Sequence, residues 1–526
     1  MPIRPTFFGF EMAKTALSAS QRNIDVTGQN IANINTEGYS RQRVNLSAVG
    51  AGGIEWKYPI SPADNVGLGV NIDSIKRVRD EFLDIRYRTE FGTNGRFAQI
   101  NETLTQVENL LDEFVMDNLH SSLTDFMNAL QNFHMNSDEI EFASLMRSAA
   151  LKLTTTLNKI ANDIDNIVEM QLMQMDLMTK NMNNITKQLD DVNREIRAQY
   201  MFNPLSVSNE LLDKRDMLLD QLSMYGEVSV VHDNSGPEGA PTGGIWVFFG
   251  ETDVTVMDPT DPDAMMSEPG FLVRGDRLGH SEITFDTVEA REDFEAGDPV
   301  RFYWGENSST EGDPIITHTG QIFGYYEMLN GIGDVEASGD ELDFATKGVP
   351  FFKNIIDSFT FMISEVFNEL NEYDDLFVSN DGDPINAFNI TISQEWQDDA
   401  MYIIRTIDGG DTPGASRNDN ILRMIDALRR EDTDFGNFTG SFQQYIGMLN
   451  TEIAIEIDYN NKRLLMSDIL LLSIDSMRES IKGVSEDEEA MNLARYQKSY
   501  NAAARYMTVL DEMLEQIVMR MGIAGR

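Results

Sequence analysis

The sequence predicts a mainly α-helical protein with β insertions. We expect a long coiled-coil-like helical body, paired N- and C-terminal helices, and one or two small antiparallel β domains. Three observations predict this architecture. Residues 97–202 contain neither glycine nor proline, apolar residues at both chain ends follow a heptad repeat, and the middle of the chain holds short β-type runs separated by turn residues.

Length and composition exclude several classes of protein. A chain of 526 residues exceeds what one hydrophobic core needs, so about two to four domains are expected. The formal net charge of −46 disfavours nucleic acid and an anionic membrane as partners, because phosphate binding needs clustered basic residues. The absence of cysteine excludes disulfides, thiolate metal sites and a cysteine nucleophile.

The N-terminal residues do not resemble a secretory signal peptide. They lack both an uninterrupted apolar segment and a small-residue cleavage site. The apolar stretch Ile469–Ile474 is much shorter than the roughly 20 residues that span a bilayer. We therefore expect a soluble chain that, if exported, is exported without a cleaved signal.

Apolar residues in the stretch without helix breakers recur at alternating steps of three and four residues. The repeat runs from Leu153 to Ile167, changes its phase near Gln171, and resumes from Met175 to Ile196. A heptad repeat with a phase change is typical of long helices packed side by side. We interpret the methionines near the phase change as core residues in preference to a partner groove, because methionine fills irregular space well.

A narrow heptad stripe also follows each end of the chain. A capping-box pattern at Ser485 and Glu488 predicts the start of the last helix. Each stripe is too narrow to form a core alone, so we expect the two terminal helices to pair and then to contact neighbouring copies. The predicted subunit-interface residues are Phe10, Leu17, Ile24, Ile31, Leu493, Tyr500, Met507, Leu510, Leu514 and Ile517.

The middle of the chain should form a small antiparallel β domain. Its short strand-like runs, among them Ile245–Phe249 and Asp253–Met257, are divided by glycine, proline and aspartate. Acidic residues in 251–313 greatly outnumber the arginines, and lysine is absent there. This charge predicts a solvent-facing outer domain, without which the helical body would still close.

The predicted domain organisation follows from these patterns. The N-terminal assembly helix and extended segment, 1–45, pair with the C-terminal helix, 484–526. An acidic β-rich outer domain covers 226–319, and a small β insertion covers 376–405. The helical body consists of 46–225, 320–375 and 406–483.

The sequence offers no catalytic, cofactor-binding or metal-binding constellation. The five histidines lack the spacing of a zinc site. Asp381, Gly382 and Asp383 lack the ligand spacing of a calcium loop, so a β-turn is the better interpretation. Phosphate-binding glycine loops and nucleophile elbows are also missing. We therefore predict no enzymatic activity and no cofactor.

Two motifs resemble those of a known family, the bacterial flagellar rod, hook and junction proteins. The first is Gln29–Gln42, which includes Asn35-Thr36-Glu37-Gly38-Tyr39, and the second is Gly483–Gln497. Gly38 can adopt the left-handed turn that ends the first helix, and Tyr39 begins an extended segment. The segment Asn209–Asp216 is also similar to the family, and with the other motifs the resemblance covers both ends and the helical body.

Within this family, the combination of the N-terminal motif with a long helical block resembles the hook-associated branch that joins hook and filament. The resemblance implies export by the flagellar type III apparatus and an extracellular location in the flagellum. The partners that it implies are copies of the chain in a ring, the hook protein, the third hook-associated protein, and a cytoplasmic export chaperone that binds the C-terminal helix. Nucleic acid and membrane are not among them.

Three alternatives remain open on sequence grounds. The chain could be another flagellar axial protein of hook or rod type. It could be a soluble enzyme or ligand-binding protein with its site in the acidic β insertion, although no catalytic constellation accompanies that insertion. It could also be a coiled-coil scaffold unrelated to flagella, which would leave Asn35–Tyr39 unexplained.

Overall fold

The computed structural model describes most of the chain. The described residues are 8–49, 69–111, 113–203, 207–234, 236, 240–250, 271–274, 279–281, 283–285, 300–305, 314–333, 346–371, 375–405, 418–436 and 438–521. Much of the acidic part of 226–319, including the predicted strand Asp253–Met257, lies outside these residues.

Long helices dominate the described chain. They are α1 (Phe8–Ala32), α2 (Glu81–Leu110), α3 (Glu113–Met135), α4 (Ile140–Phe202), α5 (Asn209–Leu222), α6 (Gly320–Asn330), α7 (Val349–Leu370), α8 (Gln394–Asp398), α9 (Asp419–Arg429), α10 (Phe442–Lys482) and α11 (Glu486–Met521). The predicted mainly α architecture is confirmed.

The strands form small antiparallel sheets. They are β1 (Gln42–Ala48), β2 (Val70–Arg77), β3 (Val228–His232), β4 (Ile245–Phe249), β5 (Phe271–Val273), β6 (Ile283–Phe285), β7 (Phe302–Trp304), β8 (Phe377–Ser379), β9 (Ile390–Ile392), β10 (Thr433–Asp434) and β11 (Thr439–Gly440). In the three-stranded sheet β4 lies between β3 and β5, and the other sheets are the pairs β1–β2, β6–β7, β8–β9 and β10–β11. The predicted β insertions are thus present.

Side-chain caps set several helix boundaries. At the start of α2, the side chain of Asp80 accepts hydrogen bonds from two backbone N–H groups of the first turn. At the start of α10, Ser441 and Gln444 form a reciprocal capping box. The apolar repeat predicted this helix from Ile446, whereas it begins at Phe442, because the cap lies upstream of the repeat.

The helix α4 extends for 63 residues through the body. The predicted phase change of its apolar repeat coincides with a fully buried polar side chain, Gln171. Gln99 Nε2 donates to Gln171 Oε1 over 3.2 Å, and Gln171 Nε2 donates to Gln106 Oε1 over 2.6 Å. Apolar residues up to Ile167 belong to one core and those from Met175 belong to another. The phase change therefore lies at the boundary between two hydrophobic cores.

The first core is formed by the C-terminal half of α2, α3, the N-terminal half of α4, α7, α9 and the start of α10. The small β insertion 376–405 contributes to it, since Phe377 and Trp396 are almost completely buried. Their rings contact edge to face with centroids 5.9 Å apart. This insertion is consequently an integral part of the body's core.

The second core combines the C-terminal half of α4 with α5, α6 and the described strands β4 to β7. Every residue of β4 is buried. Asn193 of α4 fixes this strand, because its Nδ2 donates to Ile245 O over 3.1 Å and its Oδ1 accepts from Ile245 N over 2.9 Å. The expectation that the body closes without 226–319 was therefore wrong: these strands supply one wall of the core that buries α4.

Candidate assembly site

The two terminal helices lie side by side and antiparallel. At one end, a Cβ added to Gly9 of α1 would lie 3.0 Å from Leu510 Cδ2 of α11. At the other end, Asn30 Nδ2 donates to Glu489 Oε2 over 3.2 Å. The contact extends along nearly all of α1, which confirms that the helices at the chain ends pair.

The predicted interface residues occupy intermediate and exposed positions on this pair. Tyr500 and Ile517 are 37% and 39% exposed. The half-buried residues are Phe10, Leu17, Ile24, Ile31, Leu493, Met507, Leu510 and Leu514. Because these side chains keep accessible apolar surface within one chain, their role in contacts between subunits stays a prediction.

The face of α1 that is buried within the chain consists mainly of small and polar residues, which are absent from the predicted interface residues. Small side chains allow two helices to approach closely, and buried polar side chains need hydrogen-bond partners. The spacing of Ala13, Ser20 and Thr27 was a possible signal, since they recur every seven residues. The buried residues of this face include Ala13, Ala19, Ser20, Asn23, Val26, Thr27 and Asn30.

Asn30 connects three elements through its side-chain amide. Its Oδ1 accepts from Tyr39 Oη and from Gln42 N, both over 2.9 Å. Its Nδ2 donates to Gln42 O over 3.0 Å in addition to Glu489. The amide therefore fixes the turn after α1, the start of β1 and the first turn of α11 relative to one another.

The turn after α1 has the geometry that its sequence predicts. Gly38 has a φ of 77°, in the left-handed region that favours glycine. Burial raises the pKa of Tyr39 to about 12, and the nearby carboxylates of Asp213, Glu210 and Glu489 act in the same direction. The phenol therefore stays protonated at neutral pH and can donate its hydrogen bond to Asn30.

The segment after this turn joins the terminal helices to the body. Ser40 N donates to Asp213 Oδ2 over 3.1 Å, and Arg41 N donates to Lys482 O over 2.8 Å. Arg41 Nη1 also pairs with Glu488 Oε2 at 3.0 Å. These bonds connect the terminal pair to α5 and to the end of α10.

Beside this segment lies a dense group of ion pairs, here called the arginine–aspartate cluster. It is composed of Arg77, Arg79, Arg88, Arg478, Asp84, Asp213, Asp216 and Asp220. Asp216 contacts Arg77 at 2.7 Å and Arg79 at 2.8 Å, and Arg478 contacts Asp220 at 2.6 Å. Since its members come from β2 and the adjoining loop, α2, α5 and α10, the cluster joins these elements of the body, and Asp213 also accepts from Ser40 N of the segment that follows α1.

The arginines of the cluster determine the charge state of its carboxylates. Burial alone raises the pKa of Asp216, but Arg79, Arg77 and Arg88 outweigh burial, so its pKa lies below the usual value. Burial opposes the charge of Arg478 as well, but Asp220 and Asp84 raise its pKa above the usual value. Asp216 and Arg478 are therefore both ionised at neutral pH.

We expect acid to weaken this cluster. Because the pKa of Asp216 is lower in the folded chain than the value of about 3.9 in an unfolded one, its contribution to stability is present above about pH 4 and disappears as the pH falls through the folded-state pKa. Thermal unfolding measured from pH 7 to pH 3 should show a steep loss only at the acid end. Asp216→Asn should flatten that acid loss, whereas the exposed-site control Asp458→Asn should not. Identical acid profiles for wild type and Asp216→Asn would contradict the assignment.

The terminal pair and the adjoining helix α10 expose apolar side chains on their outer faces. On α10, Leu465, Ile469 and Leu472 follow helical spacing and are 58–69% exposed. On α11, the exposed apolar residues include Tyr506, Val509, Met513, Val518 and Met519. Exposed apolar surface of this extent is typical of contacts with other proteins.

The described residues contain no group of three or more side chains that could hold a metal ion. Gly382 has a φ of 87°, and Asp383 N donates to Asp381 Oδ1 over 3.1 Å, as in the predicted turn. Among the helices that the structure describes, none is long and apolar enough to cross a bilayer.

Two family models match the chain. The model of the "Flagellar hook-associated protein FlgK helical domain" matches residues 104–372, which is about half of the chain. The model of the "Flagella basal body rod protein" matches residues 10–39, which contain α1 and the turn after it.

Full-length relatives carry the same description. The flagellar hook-associated protein 1 of Bacillus subtilis (strain 168) is 28% identical over 538 residues, covering 99% of this chain and 99% of the relative. The protein of that name from Salmonella typhimurium is 21% identical over 569 residues, covering 96% and 98%.

A solved structure supports the fold. The flagellar hook junction protein FlgK from Burkholderia pseudomallei superposes with a TM-score of 0.54 at 10% identity, covering 76% of this chain and 100% of that one. The matched helical domain extends over both hydrophobic cores, and the matched N-terminal motif includes the turn organised by Asn30. The chain therefore belongs to the flagellar hook-associated protein FlgK family, and it is a structural, non-enzymatic protein of the flagellum that forms the hook–filament junction together with other axial proteins.

Proposed function

We propose that this chain builds the junction by self-assembly through its terminal helices. The observation that supports this most directly is the antiparallel α1–α11 pair, which leaves apolar residues accessible on its outer side. In an antiparallel pair, each helix buries the face that it turns toward the other helix. The opposite faces remain available for contacts with neighbouring copies. Leu514 and Ile517 lie on the part of α11 that extends beyond Leu510, the partner of Gly9.

The exposed face of α10 extends the same assembly surface toward the body. Arg41 and Lys482 connect α10 directly to the terminal pair, so the two apolar faces belong to adjacent parts of the molecule. Ring-shaped assemblies use head-to-tail contacts between different faces of identical chains. We infer that α11 and α10 each contact a neighbouring copy in such a ring.

The axial partners follow from the position of a junction. We infer that the ring contacts the hook protein on one side and the third hook-associated protein on the other. The arginine–aspartate cluster supports this role, because a fixed angle between terminal pair and body would keep every subunit in the same orientation.

Before assembly, the exposed face of α11 needs protection. We infer that a cytoplasmic export chaperone covers this helix and that the chain leaves the cell by the flagellar type III pathway, to reside extracellularly. The exposed side chains of Met513, Val518 and Met519 would otherwise favour aggregation.

Deletion of the gene, followed by complementation, tests the proposal. Cells without the chain should make hooks that lack filaments and should release filament protein into the medium. The full chain should restore filaments, and a chain that ends before α11 should not. Filaments on cells that carry only the shortened chain would show that the terminal pair is not required.

A further inference from the structure

A cavity of about 500 Å³ lies between α2, α5 and β3, behind the arginine–aspartate cluster. One wall is charged and includes four arginines and three carboxylates, namely Arg77, Arg79, Arg88, Arg215, Glu81, Asp84 and Asp216. Another wall is aliphatic and includes Leu219, Val230 and Ile245. The cavity thus combines a charged wall, in which arginines outnumber carboxylates by four to three, with an apolar wall.

Arg215 differs from the other arginines of this wall. Arg77, Arg79 and Arg88 each contact an aspartate at 2.7–2.9 Å. Arg215 is only 7% exposed, and no carboxylate pairs with it in the described part of the chain. Its Nη1 donates to Gly243 O over 3.3 Å, and its Nε is buried without a hydrogen-bond partner.

The guanidinium of Arg215 therefore lacks a directly paired carboxylate among the described residues, and Asp216 acts on it from a longer distance. Burial lowers the pKa of Arg215 to about 10, Asp216 opposes this effect, and Arg77 and Arg88 reinforce it. The side chain still carries its charge at neutral pH. A buried charge without a directly paired counter-ion destabilises a fold, so an anion bound beside Arg215 would offset that cost.

We propose that this cavity binds a small organic anion, whose phosphate or carboxylate group pairs with Arg215 and whose apolar part lies against Leu219 and Val230. A guanidinium offers two parallel N–H groups to such an oxyanion. The volume lies within the range of about 300–1,000 Å³ that is typical of small-molecule sites. This site is independent of the assembly surface on α10 and α11.

Calorimetric titration of the full-length chain with phenyl phosphate, inorganic phosphate and phenol tests the proposal. Phenyl phosphate should bind at least about tenfold more tightly than inorganic phosphate, because only phenyl phosphate contacts both walls, and phenol should not bind measurably. Equal affinity for the two phosphates, or no binding of phenyl phosphate, would overturn the proposal.

Two variants distinguish this site from a structural arginine. Arg215→Met should weaken binding of phenyl phosphate at least about tenfold and should leave the melting temperature unchanged or raise it, since it removes a buried charge that has no directly paired carboxylate. Ser229→Glu, on the cavity wall, should also abolish binding by supplying an internal carboxylate. The exposed-site control Arg423→Met should bind like wild type. A large drop in melting temperature for Arg215→Met, or wild-type binding by Ser229→Glu, would contradict the assignment.

Discussion

Replacing Arg478 with methionine should lower the free energy of unfolding by about 3–5 kcal/mol, the range for breaking a buried ion pair. The side chain of Arg478 is 3% exposed and donates to Asp84 Oδ1 over 2.9 Å and to Asp220 Oδ2 over 2.6 Å. Its guanidinium also lies over the ring of Tyr87, 4.0 Å from the centroid. Methionine fills the space but leaves the buried carboxylate of Asp84 and the half-buried carboxylate of Asp220 each without one partner.

Urea unfolding of the purified chain would measure this loss. Arg463→Met is the matched control, because Arg463 lies exposed on the same helix, contacts the rings of Phe97 and Tyr459, and forms no ion pair with a carboxylate of the described residues. The control should lose about 1 kcal/mol or less. If Arg478→Met unfolded at the same urea concentration as this control, the ion pairs of Arg478 would not stabilise the contact of α10 with α2 and α5.

Replacing Leu514 with aspartate should abolish assembly of the junction while leaving the isolated chain folded. Leu514 is half-buried and lies one helical turn beyond Leu510, which contacts Gly9. Burying an unpaired carboxylate against a neighbouring copy would cost several kcal/mol, and a ring would repeat that cost at every contact. Within one chain the carboxylate can still reach water.

Two measurements test this expectation together. The melting temperature of the purified variant should match wild type, and cells that express it should carry hooks without filaments. Thr508→Asp places the same charge on the polar, exposed face of α11 and should assemble normally. A much lower melting temperature for Leu514→Asp would place Leu514 in the core of the monomer. Normal filaments would place it on a face without contacts.

The sequence predicted the features that depend on local periodicity. The apolar repeats of α4, α10 and α11 located long helices, because the burial of one helix face repeats with the helical period. Gly38 and Tyr39 predicted the turn after α1, because the left-handed conformation and the extended strand are also local properties of the backbone. The pairing of the chain ends followed from the narrow width of the two stripes.

Features that depend on distant contacts could not be predicted in this way. Arg478 and Asp84 are 394 positions apart, and no spacing rule connects them. The buried Asn30 was visible only as part of a motif, because its partners come from β1 and from α11.

The prediction that the helical body closes without residues 226–319 was wrong for a different reason. The acidic composition was assigned to the whole segment, although Ile245–Phe249 consists of five consecutive apolar residues and is buried on both faces. An uninterrupted apolar strand indicates burial on two sides. The apolar sequence of this strand therefore determines its burial, and the average charge of the segment does not.

The uninterrupted course of α4 has a mechanical consequence. A helix of 63 residues is about 95 Å long, and both cores pack against it. A torque applied to one core therefore reaches the other through a continuous ladder of backbone hydrogen bonds. Rotation of one half against the other would separate Gln171 from Gln99 and Gln106, and the side chain of Gln171 has no exposed surface through which water could replace them. The body should thus resist twisting as one rigid unit. The hydrogen bonds of Gln171, at the middle of α4, fix the rotation of one half relative to the other.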